Sequence, residues 1–97
     1  MTYDECVAQC QGIAVMAEEL KNRPGDLYAR NLISACMVAR PMQTGRFGNV
    51  KEKLSEVIVA AKAYQRAHID CGSADDKLNR AVSKMRIALL IHKSQLN

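Results

Sequence analysis

Residues 49–64 read NVKEKLSEVIVAAKAY, and this stretch decides the fold class. Its apolar residues recur at intervals of three and four, which is the spacing of one face of an α-helix rather than the alternation of a half-buried strand. Asn49 and Glu52 match a capping box, the signature of a helix start. The pattern predicts a helix from Val50 to residue 71, with His68 as the last residue of its apolar stripe.

Three further helices follow from the same signals. Thr2 and Glu5 form another capping box before helix 1, while Asp26 and Ser73 each offer an N-cap after a glycine. The predicted inward stripes are Cys6, Cys10, Ile13, Ala17 and Leu20 on helix 1, Tyr28, Leu32, Ala35, Cys36 and Ala39 on helix 2, and Leu78, Ala81, Val82, Met85, Leu89 and His92 on helix 4. Short connections make antiparallel hairpins of the first two and the last two helices, but the longer middle link allows either an up-and-down or a crossed arrangement. We expect a single domain over 1–97, an all-α four-helix bundle with helices at residues 3–22, 26–40, 50–71 and 74–95.

The composition is that of an ordinary globular protein. The chain of 97 residues has 48% hydrophobic and 25% charged residues, with a net charge of +4. No apolar run approaches the roughly 20 residues of a membrane span, and the acidic start at Asp4 and Glu5 lacks the basic residues of a signal peptide. We therefore expect a cytoplasmic protein with reduced thiols and no membrane partner.

Four cysteines and two histidines raise the question of a metal site. Cys6 and Cys10 share a helix face, as do His68 and Cys71, and together they match two half-sites for zinc. In an up-and-down bundle the half-sites lie at opposite ends, and only a crossed bundle joins them. The first hairpin brings Cys36 level with Cys10, which leaves a redox pair as another alternative. Because free cysteine is among the most buried residue types, we expect core thiols, no metal and no cofactor.

Catalytic signatures are sparse. Arg86 and His92 resemble the R-x(4–6)-H element of the four-helix HEPN ribonucleases, but a step of six residues places them about 240° apart on a regular helix. The sequence contains no phosphate-binding glycine motif and no Ser, His and Asp ordered as a triad. We expect a protein that is not an enzyme and has no catalytic residues, with a metal or HEPN-like site as the alternative.

Apolar residues exceed what one inward stripe per helix requires. On helical wheels, three pairs fall outside the stripes, and helix 2 is apolar nearly all round. Either helix 2 lies centrally in an irregular bundle, or a partner covers it. We expect a non-enzymatic helical interaction protein of the small adaptor or inhibitor type, bound to another protein or to a second copy of itself. Its expected interface residues are Val15, Met16, Met37, Val38, Leu90 and Ile91.

The link between helices 2 and 3 supports a second interpretation, a binding site for nucleic acid or a nucleotide phosphate. Amides at a helix start attract phosphate, arginine chelates it, and an aromatic ring stacks on a base. The alternatives are a mobile connector whose Phe47 covers the bundle end and, on helix 4, a solvated basic flank. The residues of this predicted anion site are Arg40, Arg46, Phe47, Lys51 and Lys53 in and after the link, and Lys77, Arg80 and Lys84 on helix 4.

Overall fold

The computed structural model of the protein describes residues 2–66 and 72–95. Almost all of them lie in helices, so the predicted all-α bundle is confirmed. The helices are α1 (Tyr3–Asn22), α2 (Asp26–Ala39), α3 (Gly48–Arg66) and α4 (Gly72–Gln95), with two 3₁₀ turns between α2 and α3 at Arg40–Met42 and Gly45–Phe47.

The helices run up and down in sequence order. α2 packs on α3 and α3 on α4, while α1 closes the ring against both α2 and α4. Side-chain hydrogen bonds fix the directions, because Cys6 near the start of α1 contacts Gln43 in the link, and Asn49 at the start of α3 contacts His92 near the end of α4. The link (residues 40–47) therefore shares one end of the bundle with the start of α1 and the end of α4. This arrangement is up-down-up-down, which settles the topology that the sequence left open.

The start of α2 differs from the prediction. Gly25, with a φ of 149°, takes the cap position, a conformation that glycine adopts without strain. Asp26 is the first helical residue and accepts hydrogen bonds from Arg30 Nε (2.7 Å) and Gln65 Nε2 (2.9 Å). The predicted capping carboxylate thus ties α2 to the end of α3. At the other end α2 stops at Ala39, one residue before the predicted limit.

The starts of α3 and α4 also differ from the prediction. α3 begins at Gly48 because the second 3₁₀ turn runs directly into it, and Asn49 is consequently inside the helix rather than at its cap. α4 already includes Gly72, which was predicted to end the third helix, and Ser73, which was predicted as a cap. The predicted C-terminal part of the third helix, residues 67–71, lies outside the described residues. The cap of α1 agrees with the sequence, since Thr2 Oγ1 accepts from the Glu5 amide at 3.2 Å.

The core is built from the predicted inward stripes. All five predicted stripe residues of α1 are buried, and the largest fully buried side chains are Tyr64 and Phe47. Three predicted members, Tyr28, Ala35 and Val82, are only half-buried. No helix in the described part of the chain is both long and apolar enough to cross a membrane.

Candidate interaction surfaces

Large apolar side chains remain exposed on every helix. Val38, for example, is 67% exposed, and its neighbour Met37 is also exposed. α2 is therefore not enclosed on all sides, which removes the alternative of a central helix. Within residues 2–66 and 72–95, the exposed large apolar side chains are Val15, Leu27, Met37, Val38, Met42, Val59, Ile87, Leu90 and Ile91.

Two predicted interface residues meet in one groove. A depression of about 520 Å³ runs between α1 and α2, and we call it the α1–α2 groove. Met16 from α1 and Val38 from α2 line it, together with the half-buried Tyr28. Buried Ile13 is also among its lining residues, and Gln9 adds a polar group. An apolar concave surface with a few polar groups has the chemistry of a ligand-binding or partner-binding cleft.

The other four predicted interface residues lie elsewhere. Val15 is exposed on α1, and Met37 lies about 100° from Val38 around α2. Leu90 and Ile91 are exposed on α4, which is diagonal to α2 in the bundle. The six residues therefore do not form one continuous patch, because four helices in a ring turn their outer faces in different directions.

A second groove lies between α3 and α4. It encloses about 380 Å³, and we call it the α3–α4 groove. The three predicted basic residues of α4 all line it, facing Glu56 of α3. Glu56 accepts two long ion pairs, from Lys84 at 3.6 Å and from the predicted residue Lys53 at 3.7 Å. Three of the eight residues of the predicted anion set therefore line this groove, and a fourth, Lys53, pairs with its Glu56.

Sequence reasoning missed the apolar component of the α3–α4 groove. Val59 is 69% exposed and lines the groove beside Ala60 and Ala81. A helical wheel of α3 already places Val59 about 160° from the centre of the buried stripe, so the signal was present. Its position opposite the basic edge depends on which faces of α3 and α4 meet, which the sequence alone does not determine.

Phe47 is not available to stack on a base. Its ring is 2% exposed and packs against His92, with ring centroids 4.8 Å apart. The Arg46 guanidinium lies 4.9 Å from the centroid of the same ring. This burial matches the alternative of a side chain packed over the bundle end, and base stacking would require the ring to leave this site.

The remaining cations of the predicted anion site stay near the link. Arg40 is half-buried, and its Nε atom has no hydrogen-bond partner among the described residues. Arg46 and Lys51 are exposed, and neither forms an ion pair within the described ranges. The structure thus divides the predicted set between the link and the α3–α4 groove.

Three thiols lie in the core as predicted. Cys6, Cys10 and Cys36 are free and buried. Burial raises the pKa of Cys36 to about 12, and burial together with the neighbouring thiols Cys6 and Cys36 raises the pKa of Cys10 to about 12. Burial also raises the pKa of Cys6, whose Sγ donates to Gln43 Oε1 at 3.1 Å. Because the thiolate is the nucleophile and the metal ligand, these thiols are poorly reactive at neutral pH.

No metal-binding group forms in the part of the chain that the structure describes. No three Cys, His, Asp or Glu side chains there are placed to hold an ion. His68 and Cys71, the second predicted half-site for zinc, lie outside the described residues.

His92 is buried and hydrogen-bonded to Asn49 inside the bundle. Asn49 Nδ2 donates to the Ala88 carbonyl at 3.1 Å, so Asn49 Oδ1, 2.7 Å from His92 Nε2, accepts a hydrogen bond from the ring. Arg86 is exposed and lines a depression between α1 and α4. The two residues of the HEPN-like pattern therefore lie apart, as their helical spacing indicated.

Gln43 was not anticipated from the sequence. It is 2% exposed, and its Nε2 donates to Gln9 Oε1 at 2.6 Å and to the Ala39 carbonyl at 3.3 Å. With the Cys6 thiol on its oxygen, this side chain joins α1, α2 and the link. A glutamine in a polar connector gives no sequence signal of burial.

Comparison of the chain with models of protein families, with curated proteins and with solved structures found no significant match.

Proposed function

We propose that the protein is a non-enzymatic helical interaction protein that binds another protein, or a second copy of itself, through exposed apolar side chains. The observation that carries the proposal is the α1–α2 groove, because Met16 and Val38 both line this surface depression. The neighbouring Tyr28 adds a half-buried aromatic side chain of the kind enriched at protein interfaces.

Burial of these side chains favours association. Val38 has two-thirds of its surface exposed, and covering that area contributes about 1–2 kcal/mol to a complex. Met16 is half-buried, and methionine adapts its shape to different partners. Gln9, Asn31 and Ser34 lie in the same groove and supply hydrogen-bonding groups for orientation.

The test uses three forms of the protein, namely wild type, Val38→Asp and Leu27→Asp. Val38 and Leu27 are both 67% exposed on α2, but only Val38 lines the groove. Self-association is measured by sedimentation velocity over a range of concentrations, and other partners are captured on the immobilised protein from an extract of the source cells. We expect a partner that wild type and Leu27→Asp retain and Val38→Asp loses.

Two outcomes would overturn the proposal. One is a monomeric wild-type protein whose captured proteins are all captured by Val38→Asp as well. The other is equal loss of binding in both variants, because a general effect of added negative charge then explains the result better than the groove does.

A second candidate function is anion binding at the link. It is supported by Arg46 and Lys51, which are exposed near the start of α3 and make no ion pair with a described residue. Phosphate binding by two or three such cations weakens steeply as salt rises. Retention on immobilised heparin that falls with salt and is lost in Arg46→Ala/Lys51→Ala supports this candidate. No retention at low salt removes it.

A further inference from the structure

We propose that the α3–α4 groove binds an acidic amphipathic helix of a partner protein. The proposal rests on the proposed function as an interaction protein, but it uses a surface separate from the α1–α2 groove. The depression lies between two antiparallel helices that pack along their length. A third helix laid along such a pair packs at the usual spacing of about 8–10 Å from each.

Cations line only the α4 side of the groove. Lys77, Arg80 and Lys84 follow at i, i+3 and i+7, so they spread over about 10 Å along the helix axis. Lys84 shares Glu56 with Lys53, whereas Lys77 and Arg80 make no ion pair with any residue that the structure describes. Acidic side chains at the same helical spacing on an incoming helix match this row of charges.

Between the cations of α4 and the polar residues Ser55 and Glu56 of α3, the groove is aliphatic. Ala60 and Ala81 are buried at its base, and Val59 stands 69% exposed beside them. Ile87 and Ile91 are also exposed, and each follows a basic residue of the groove by seven positions, which places it on the same edge of α4 within about 20°. A ligand with an apolar face and an acidic edge therefore matches both parts of this surface.

Nucleic acid matches the same surface less well. Glu56 lies on the α3 side and repels any anion, but an amphipathic helix can keep its acidic edge on the α4 side, whereas a nucleic acid strand carries a charge on every phosphate. None of the described residues that line the groove is aromatic, so bases find no ring on which to stack. The asymmetry between a cationic wall on α4 and an aliphatic and acidic wall on α3 favours an amphipathic protein helix.

The probe is a fluorescein-labelled synthetic helix of about 18 residues, or five turns, with leucines on one face and glutamates along one edge. Fluorescence anisotropy measures its affinity for the full chain. We expect Lys77→Glu/Arg80→Glu to weaken binding by about tenfold or more, since two attractions become repulsions. The control Arg30→Glu/Arg86→Glu exchanges two exposed arginines that do not line the groove, and should change affinity less than about twofold.

The apolar contribution is tested separately. Val59→Ser keeps the charge, and we expect it to weaken the peptide by about threefold, because Val59 loses apolar contact with the leucine face. Circular dichroism of each variant shows whether the fold is intact. We expect it to be intact, because all the substituted side chains are exposed. A peptide with lysines in place of the glutamates should not bind.

Equal weakening by the two double variants would overturn the proposal, as would a thymidine oligonucleotide that binds through Lys77 and Arg80 more tightly than the peptide. Val38→Asp separates this proposal from the proposed function, because it should leave peptide affinity unchanged. If the peptide binds but no captured partner depends on Val38, only the role of the α1–α2 groove is removed. The converse result removes only the acidic-helix proposal.

Discussion

Replacing Phe47 with alanine tests how the link closes its end of the bundle. The ring is 2% exposed and lies against His92, so the whole side chain is removed from water in the native state. Truncating a phenylalanine in such a site costs about 3–5 kcal/mol, which includes the cavity that remains. Because a domain of this size is stable by about 5–15 kcal/mol, Phe47→Ala should lose a large fraction of its stability.

Urea unfolding, followed by the helical circular dichroism signal, measures this loss. Phe47→Leu keeps most of the apolar volume and should cost less than about 1.5 kcal/mol. Arg46→Ala removes only the exposed cation beside the ring, and should cost at most about 1 kcal/mol. Phe47→Ala should therefore lose far more unfolding free energy than Phe47→Leu or Arg46→Ala.

A small effect would refute this reasoning. If Phe47→Ala lost less than about 1 kcal/mol, the ring would have to be largely exposed in solution, since truncation of an exposed side chain has little effect on stability. The ring would then again be available to a ligand at the link.

The pKa values near 12 of Cys10 and Cys36 predict that the free energy of unfolding falls as pH rises above about 9, because the unfolded chain then releases thiol protons that the folded chain keeps. Urea midpoints measured at about pH 8 and about pH 10 should show this fall. The double variant Cys10→Ala/Cys36→Ala should show a smaller fall. Unchanged pH dependence in that double variant would contradict the assignment. Gln43→Ala should cost about 1–3 kcal/mol by leaving buried partners unpaired, against almost nothing for the exposed Gln11→Ala, and equal midpoints would refute its structural role. Asn49→Ala should also cost about 1–3 kcal/mol, since it removes the hydrogen-bond partner of a buried imidazole, and a wild-type midpoint would argue against that bond.

The helices and their inward faces could be predicted because both depend on local spacing. Thr2 caps α1 as its capping box indicates, and the stripes of α1 and α3 are buried as their periods require within the described residues. Three predicted caps, Asp26, Asn49 and Ser73, lie inside their helices, and two of them have a distant hydrogen-bond partner. Asp26 bonds to Gln65, and Asn49 to His92, so tertiary contacts outweigh the local capping pattern at both positions.

The candidate surfaces were only partly visible in the sequence. A helical wheel identifies Val38 as surplus to the core, and spacing alone places Lys77, Arg80 and Lys84 on one edge. The pairing of that edge with Val59 required the up-down-up-down topology, which the length of the link does not determine. The sequence shows on which face of its own helix a residue lies, but it does not show which residues of another helix lie beside it.

The affinity of the captured partner for Val38→Asp and Leu27→Asp tests the interaction role most directly. Both variants remove an equally exposed apolar side chain from α2 and add one negative charge. Isothermal titration, or sedimentation equilibrium if the partner is a second copy, should show Val38→Asp weakened by about tenfold or more, from lost burial and carboxylate desolvation. Leu27→Asp should stay within about twofold of wild type, as expected for a site outside the contact. Equal affinities in the two variants would contradict the role of the α1–α2 groove.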